Sequence, residues 1–329
     1  MNKYKFKKKL YEDIGLINYS NYKFSLIFFK IAINIFFLFF LKIIKFNKRN
    51  IPLALYETNI FNKIKEKLKK YKCSVMWANQ PQFLNGVIRK FKPKKILEIG
   101  VLRGGSSIII LNAIKDIKNS YLYSIDLRSD NRIGRCVKNY FPNLKNKWFL
   151  FKGNIAANFM EEIGKGIDFA FFDTSHFEPG EILDFLMVLP FLKEGAIVGF
   201  HDIGQQINNI KGLNSRNEWA PYIIFNLIRG KKYLPSGNNI LTHDIGVIKL
   251  EKYQFKYYHD YFRALGGQWQ YFPEYEHLNL CLNYFKKFYD NNCIIMFKEA
   301  VKFNEKFVKK NPKEDFYSPK NHLRKRNIY

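Results

Sequence analysis

Residues 96–107, ILEIGVLRGGSS, join a short apolar strand, a glycine turn and the start of an apolar helix. Glycine lets a turn approach a ligand closely, and the first N–H groups of a helix have no partner within the helix. Open α/β sheets bind nucleotides at the carboxyl ends of their strands, where this turn lies. The stretch therefore predicts an α/β fold that holds a nucleotide-like ligand beside Gly100.

Apolar strand-like segments alternate with helical segments from residue 94 onward. This alternation is typical of βαβ units and predicts a Rossmann-like, doubly wound and mostly parallel sheet. The expected strands are 95–99, 121–126, 148–152, 167–173, 196–201 and 245–250.

Four regions follow from the same pattern. They are a basic arm with an apolar helix at 1–50, a helical cap at 51–92, the sheet domain at 93–250 and a helical, aromatic and basic extension at 251–329. Within the extension, helices are expected at 278–290 and 294–309.

Two acidic residues lie near the glycine turn. Asp126 ends the second strand, where a carboxylate can accept hydrogen bonds from both ribose hydroxyls of a nucleotide. Glu98 lies inside an apolar strand, where a carboxylate is costly to bury without a partner. We expect Glu98 either to bind the ligand or to accept backbone N–H groups of the turn.

Four stretches carry a family resemblance when they are taken in order: 97–107, LEIGVLRGGSS; 123–128, YSIDLR; 167–185, IDFAFFDTSHFEPGEILDF; and 189–204, LPFLKEGAIVGFHDIG. Together they resemble the class I S-adenosylmethionine-dependent methyltransferase family, which includes many small-molecule and sugar O-methyltransferases. The resemblance covers about residues 94–204.

The resemblance implies S-adenosylmethionine as the cofactor. Gly100 and Gly104 would then approach its methionine part, Asp126 its ribose, and the pair Gly153 and Asn154 its adenine. Asn154 stands where the family commonly has aspartate, and Thr174 and Ala196 replace usual glycines. The full set predicted to bind the cofactor is Glu98, Gly100, Gly104, Gly105, Ser106, Asp126 and Asn154.

Catalysis is expected at the carboxyl ends of the strands beside the cofactor, where Asp173, His176, His201 and Asp202 lie. Methyl transfer needs an oriented acceptor and a group that removes the proton of an acceptor hydroxyl. A histidine suits that task, and His176 and His201 are both candidates. A further interpretation makes Asp173, His201 and Asp202 ligands of a divalent cation such as magnesium.

The segment 24–46 is rich in phenylalanine and leucine but contains Lys30, and its longest run without charge is short for a membrane span. We interpret it as a helix lying in the interface of an anionic membrane, with a buried packing helix as the alternative. The formal net charge is +27. Lysine, asparagine, isoleucine and phenylalanine are all abundant, the pattern that an AT-rich genome imposes on its codons. Because part of the charge reflects this codon bias, we do not expect a nucleic-acid partner.

The sequence thus predicts a cytoplasmic methyltransferase at the inner face of the membrane that methylates an oxygen of a sugar or other small molecule in glycan biosynthesis. Two alternatives remain. A nicotinamide-dependent oxidoreductase would use the same fold, although its G-x-G-x-x-G turn is missing here. A non-catalytic, membrane-tethered binding module would keep the fold without turnover.

Overall fold

The central strands are apolar on both faces, as expected for parallel strands that helices cover on each side. β1 (Lys95–Ile99) is buried in its last four residues, and β4 (Ile167–Phe172) is buried at every position except Asp168. The computed structural model describes residues 58–73, 76, 79–204, 219–235 and 244–310.

The other strands are β2 (Tyr121–Asp126), β3 (Trp148–Lys152), β5 (Leu192–His201), β6 (Gly230–Tyr233) and β7 (Ile245–Leu250). They form one seven-stranded sheet in the order β3-β2-β1-β4-β5-β7-β6. β1 to β5 run parallel, whereas β7 is antiparallel to both β5 and β6. The doubly wound, mostly parallel sheet predicted from the sequence is confirmed.

Helices and short helical turns connect and flank these strands. The α-helices are α1 (Thr58–Lys70), α2 (Gln80–Phe91), α3 (Gly105–Ile114), α4 (Arg135–Tyr140), α5 (Met160–Ile163), α6 (Gly180–Val188), α7 (Ala220–Leu227), α8 (Tyr258–Ala264), α9 (Tyr275–Phe288) and α10 (Asn291–Lys310). The 3-10 turns are Pro142–Lys147, Ala156–Asn158, Leu189–Phe191 and Gln254–Tyr257.

The strand bounds follow the sequence prediction except at three places. β4 ends one residue earlier, at Phe172, and β5 begins earlier, at Leu192. β6 was not predicted. Its sequence, GKKY, contains two lysines and buries only Tyr233, as suits an edge strand that a charged side chain protects from further pairing.

The chain after β7 packs against α6. The hydroxyl of Tyr284 donates to the carbonyl of Met187, and that of Tyr289 donates to the carbonyl of Leu186, each at 2.6 Å. Both donors are buried tyrosines whose rings add apolar contact to the helix. The extension thus covers the helix that follows β4.

No helix among the described residues is long and apolar enough to cross a membrane. The segment 24–46, predicted to lie at a membrane surface, is outside the described residues.

Candidate active site

The turn after β1 lies against the end of β4. Gly100 has a φ of +90°, and a Cβ atom at this position would lie 1.9 Å from the backbone oxygen of Asp173. The N–H of Asp173 donates to the carbonyl of Ile99 at 3.0 Å and fixes the same approach. The neighbouring strand therefore requires glycine at position 100, whether or not a ligand also approaches it.

The start of α3 follows this turn. Gly104 precedes the helix with a φ of +92°, and the first helical residues, Gly105 and Ser106, are buried. No side chain among the described residues caps this end. Because the first N–H groups of a helix lack intrahelical partners, this end suits a polar or anionic ligand group.

Asp126, at the end of β2, faces the same turn. Its Oδ2 accepts hydrogen bonds from the N–H groups of Val101 and Leu102, at 3.1 and 2.9 Å. Its Oδ1 accepts the N–H of Arg128 at 3.0 Å. The glycine turn and the acid predicted to hold a ribose thus lie together at the carboxyl edge of the sheet.

Glu98 is fully buried behind the turn. Its Oε2 accepts the hydroxyls of Ser107 and Ser124, at 2.7 and 2.6 Å, rather than backbone N–H groups. Its Oε1 has no hydrogen-bond partner among the described residues. Burial, only partly offset by the serine hydrogen bonds, raises its pKa to about 7. Glu98 therefore ties β1 to α3 and β2 and reaches a ligand only through them.

Asn154 follows β3 on the other side of Asp126. Its Oδ1 accepts the N–H of its neighbour Ile155 at 2.8 Å, and its side chain is half-buried. Gly153, with a φ of +90°, donates its N–H to the carbonyl of Asp126 at 3.0 Å. The structure therefore places Asn154 beside the end of β2.

The four residues predicted for catalysis meet at the ends of β4 and β5. Nε2 of His176 lies 2.9 Å from Oδ2 of Asp202 and 3.8 Å from Oδ1 of Asp173. Nδ1 of His201 lies 3.3 Å from the same Asp202 oxygen and 3.6 Å from Oδ1 of Asp173. Two carboxylates thus lie between two imidazoles, next to the turn that holds Gly100.

Residues 97–203 match the family model of a methyltransferase domain. This segment is a methyltransferase domain. The methyltransferase recognised from its ordered motifs is confirmed.

Solved structures with a similar fold include an O-methyltransferase from Bacillus cereus in complex with S-adenosylhomocysteine, at 15% identity, a TM-score of 0.44, and 59% and 92% coverage of this chain and that one. Another is an O-methyltransferase from Streptomyces achromogenes involved in tomaymycin synthesis. Its sequence identity is 16%, its TM-score is 0.41, and the match covers 59% of this chain and 91% of that one. A third is a methyltransferase from Podospora anserina, with 18% sequence identity and a TM-score of 0.42. This match covers 63% of this chain and 91% of that one. A search of curated proteins finds no significant match.

Two residues of the group predicted for catalysis hold unusual backbone conformations. His176 has a φ of +62° and Asp202 a φ of +57°, in the left-handed region that residues other than glycine rarely adopt. Each such residue costs about 1–3 kcal/mol, which the surrounding structure must supply. Strain of this kind at the two residues in closest contact supports a functional role for the pair.

The charges of the group are strongly coupled. Burial opposes the charged form of both histidines, but the carboxylates outweigh it. Asp202 and Glu181 hold the pKa of His176 well above its ordinary value, and Asp202 with Asp173 raises that of His201 to about 10. The two imidazoles in turn hold the pKa of Asp202 well below its usual range. Asp202 and the two imidazoles therefore favour their charged forms together.

Sequence reasoning missed two residues that touch this network. Oε1 of Glu181, at the start of α6, lies 3.5 Å from Nδ1 of His176 and is fully buried. Oε1 of Gln80, at the start of α2, lies 3.1 Å from Nε2 of His201. The only signal for Glu181 was an acid in a helix that is apolar except for Asp184, and Gln80 had no local signal.

The donor set fits a divalent cation. One atom each of Asp173, His201 and Asp202 lies within 4.8 Å of the other two. Because the amide oxygen of Gln80 can only accept, its contact places a proton on Nε2 of His201, and Nδ1, which faces the two acids, is the nitrogen that could bind an ion once its own proton is lost. A histidine that ligates a metal is held in this way by a second partner.

Aromatic residues of the extension and two arginines after β2 have partners within the domain. Trp269 and Tyr271 are buried. Arg128 contacts Asp126, and Arg132 contacts Asp130. The aromatic residues thus pack the extension onto the domain.

Proposed function

We propose that this chain transfers the methyl group of S-adenosylmethionine to a hydroxyl oxygen of a small-molecule acceptor. One observation supports the proposal: two features lie together at one edge of the sheet. The first is Asp126 with the glycine turn, and the second is the group of Asp173, His176, His201 and Asp202 next to that turn. The first can bind a nucleoside, and the second can orient and deprotonate a hydroxyl.

The cofactor would lie across the ends of β1 and β2. In this proposal Asp126 accepts the ribose hydroxyls, in place of its contact with the Arg128 side chain at 3.4 Å. The start of α3 and the turn at Gly100 and Gly104 face the methionine part, and Asn154 lies at the adenine. The buried Glu98 keeps the turn in place through its serine contacts.

His176 is the base in this proposal. Glu181 backs its Nδ1, so Nε2 is directed to the side where the acidic residues lie. An acid behind one ring nitrogen favours the tautomer whose other nitrogen can accept a proton. Because neighbouring acids hold the pKa of His176 well above its ordinary value, only the neutral fraction, which grows as the pH rises, acts as the base. In that form Nε2 would take the proton of the acceptor hydroxyl, whose oxygen would bond to the methyl carbon while the electrons of the carbon–sulfur bond return to the sulfur of S-adenosylmethionine.

His201 would act with Asp173 and Asp202 to hold a divalent cation. Such an ion polarises the acceptor hydroxyl and favours its deprotonation. Two carboxylates suit magnesium and also manganese. The contribution of this chain is to present Nδ1 of His201 between the acids, which Gln80 secures from the other side.

The acceptor is proposed to be a sugar or another small molecule of glycan biosynthesis. Support comes from the resemblance to a family with many sugar O-methyltransferases and from the apolar segment 24–46, whose lysine flanks suit an anionic membrane surface. Lipid-linked glycan precursors lie at such a surface. This places the proposed work of the enzyme on the cytoplasmic face of the membrane.

The decisive experiment supplies S-adenosylmethionine with a labelled methyl group and a fractionated extract of the source cell envelope. Mass spectrometry should find the label on an oxygen of one extracted compound, and a chelator should lower the yield. Binding of NADH in place of S-adenosylhomocysteine in calorimetry would instead support an oxidoreductase. Biological activity that survives alanine at Asp173, His176, His201 and Asp202 would support a non-catalytic binding module.

A further inference from the structure

A second group of metal-ligating side chains lies between α8 and α10, outside residues 97–203. Nε2 of His259 lies 3.0 Å from Oδ2 of Asp290, and Cys293 lies in the first turn of α10, which begins directly after Asp290. One ligand atom from each residue lies within 4.8 Å of the other two. An imidazole, a carboxylate and a thiol thus share one small volume.

We infer that His259, Asp290 and Cys293 bind a transition-metal ion of the zinc class. Nitrogen, oxygen and sulfur donors together are the set that zinc takes, whereas magnesium and calcium prefer oxygen alone. Donors at zinc bond lengths lie about 3.5 Å apart around a tetrahedral ion. The existing spacing therefore needs only small side-chain shifts to accept one.

The carboxylate is held in position by neighbours that would not have to move. Oδ1 of Asp290 accepts the backbone N–H of Cys293 at 3.0 Å, and Oδ2 accepts the hydroxyl of Tyr258 at 2.8 Å. The ring of Tyr258 also stacks on His259, with 4.3 Å between the ring centroids. Fixed partners of this kind orient metal ligands and raise affinity for the ion.

The exposure of the three residues suits an ion that enters from solvent. The side chains of His259 and Asp290 are 38% and 40% exposed, while Cys293 is fully buried beneath them. Three protein ligands leave a fourth position for water. Because α8 and α10 are separate elements, a bound ion would link them and stabilise the extension.

A simpler role for Asp290 is to cap α10 and pair with His259 at the surface. Both contacts would exist without the thiol, so the thiol distinguishes a metal site from a cap. Cobalt is therefore the probe, because thiolate ligation to Co²⁺ gives a charge-transfer absorption band that oxygen and nitrogen ligands do not give. Zinc should then displace the cobalt and remove the band.

The test uses the full chain, freed of metal and titrated with Co²⁺. We expect one equivalent to give the thiolate band, Cys293→Ser to lose it and His259→Gln to weaken binding by about tenfold or more. Cys281→Ser, which changes another buried free cysteine, should keep the band. No thiolate band in the wild type, or a band that survives Cys293→Ser, would overturn the proposal.

Thermal unfolding gives a second measurement that does not need the buried thiol to be changed. Zinc at about 100 times its Kd should raise the Tm by about 5–10 °C. His259→Gln, an exposed change, should remove most of this rise, and Asp173→Asn should keep it. A rise that Asp173→Asn removes and His259→Gln keeps would assign zinc to the methyltransferase site and overturn the proposal.

Discussion

Nδ1 of His176 lies 3.5 Å from Oε1 of Glu181, a carboxylate that no solvent reaches. The other ring nitrogen lies 2.9 Å from Asp202. Burial raises the pKa of Glu181, and the contact with His176 only partly offsets that effect. Asp202 and Glu181 in turn hold the pKa of His176 well above its ordinary value, so His176 can serve as the proposed base only in its neutral form.

We expect His176→Ala to lower kcat by about 100-fold or more, the usual size of a general-base contribution. Glu181→Gln should lower kcat by less and leave KM for the cofactor unchanged. Loss of the carboxylate lowers the pKa of His176, so the acid limb of the kcat profile should move to lower pH. A profile that does not move would assign Glu181 a structural role.

Glu162→Gln is the control for this series. Glu162 is exposed and lies on the short helix before β4, so its kinetics and pH profile should match those of the wild type. Equal loss of activity in Glu181→Gln and Glu162→Gln would contradict the proposed role of the pair.

The sheet could be predicted from the sequence because each buried strand is a local signal. β1, β2, β3 and β7 begin and end where the apolar runs do. β6 could not be predicted in this way, since Lys231 and Lys232 hide a strand whose partner, β7, lies later in the chain. β6 forms because its backbone pairs with β7 at the edge of the sheet, and the side chains of β6 do not indicate this pairing.

The acids and histidines of the site were predictable because each directly follows a recognisable strand. Their contacts were not. Gln80 reaches His201 from a helix that precedes the whole sheet, and no pattern in the sequence connects the two. Glu98 shows the same limit, since its serine partners are known only once α3 and β2 pack on β1.

Asp126 offers a test of the cofactor site. Asp126→Asn should weaken S-adenosylhomocysteine binding by about 10- to 100-fold, because a charged hydrogen bond contributes about 1.5–3 kcal/mol. Asp130→Asn is the control, since Asp130 lies four residues after Asp126 and pairs with Arg132, two residues further on. Calorimetry of both variants should show a loss only in the first; equal affinities would remove Asp126 from the cofactor site.

Gly100 and Gly166 share a φ of +90° but differ in their surroundings. A Cβ at Gly100 would overlap the backbone of Asp173, whereas nothing lies within 4 Å of one at Gly166. We expect Gly166→Ala to cost about 1–2 kcal/mol for its backbone conformation alone. Gly100→Ala should cost about 3 kcal/mol or more, because backbone atoms must also shift. Denaturant unfolding measures the difference, and equal costs would contradict the close approach of the turn to β4.

Glu98 should make stability depend on pH. Its folded pKa of about 7 lies above the ordinary 4.5, so its contribution is complete below about pH 4.5 and is lost as the pH rises through 7. Once the group is ionised the cost is about 3 kcal/mol. Glu98→Gln should therefore raise the Tm relative to the wild type at pH 8 and change it little at pH 4.5. A lower Tm for the variant at pH 8 would show that the ionised form is stabilised.

Gln80 gives the sharpest test of the proposed cation site, because it lies outside the matched segment and contacts His201 at Nε2, the ring nitrogen away from the two acids. Gln80→Ala should weaken Mn²⁺ binding by about 10- to 100-fold, the usual effect of removing a partner that orients a ligand. Gln80→Glu keeps an oxygen acceptor for Nε2 and should retain more affinity than Gln80→Ala. Gln82→Ala, on the same helix, is the control. Calorimetry with Mn²⁺ measures the affinity for the ion without requiring turnover. The affinity for S-adenosylhomocysteine should stay constant in all variants. If Gln80→Ala binds manganese as the wild type does, the hydrogen bond to His201 serves packing alone, and the base and the cation must then be reassigned between the two histidines.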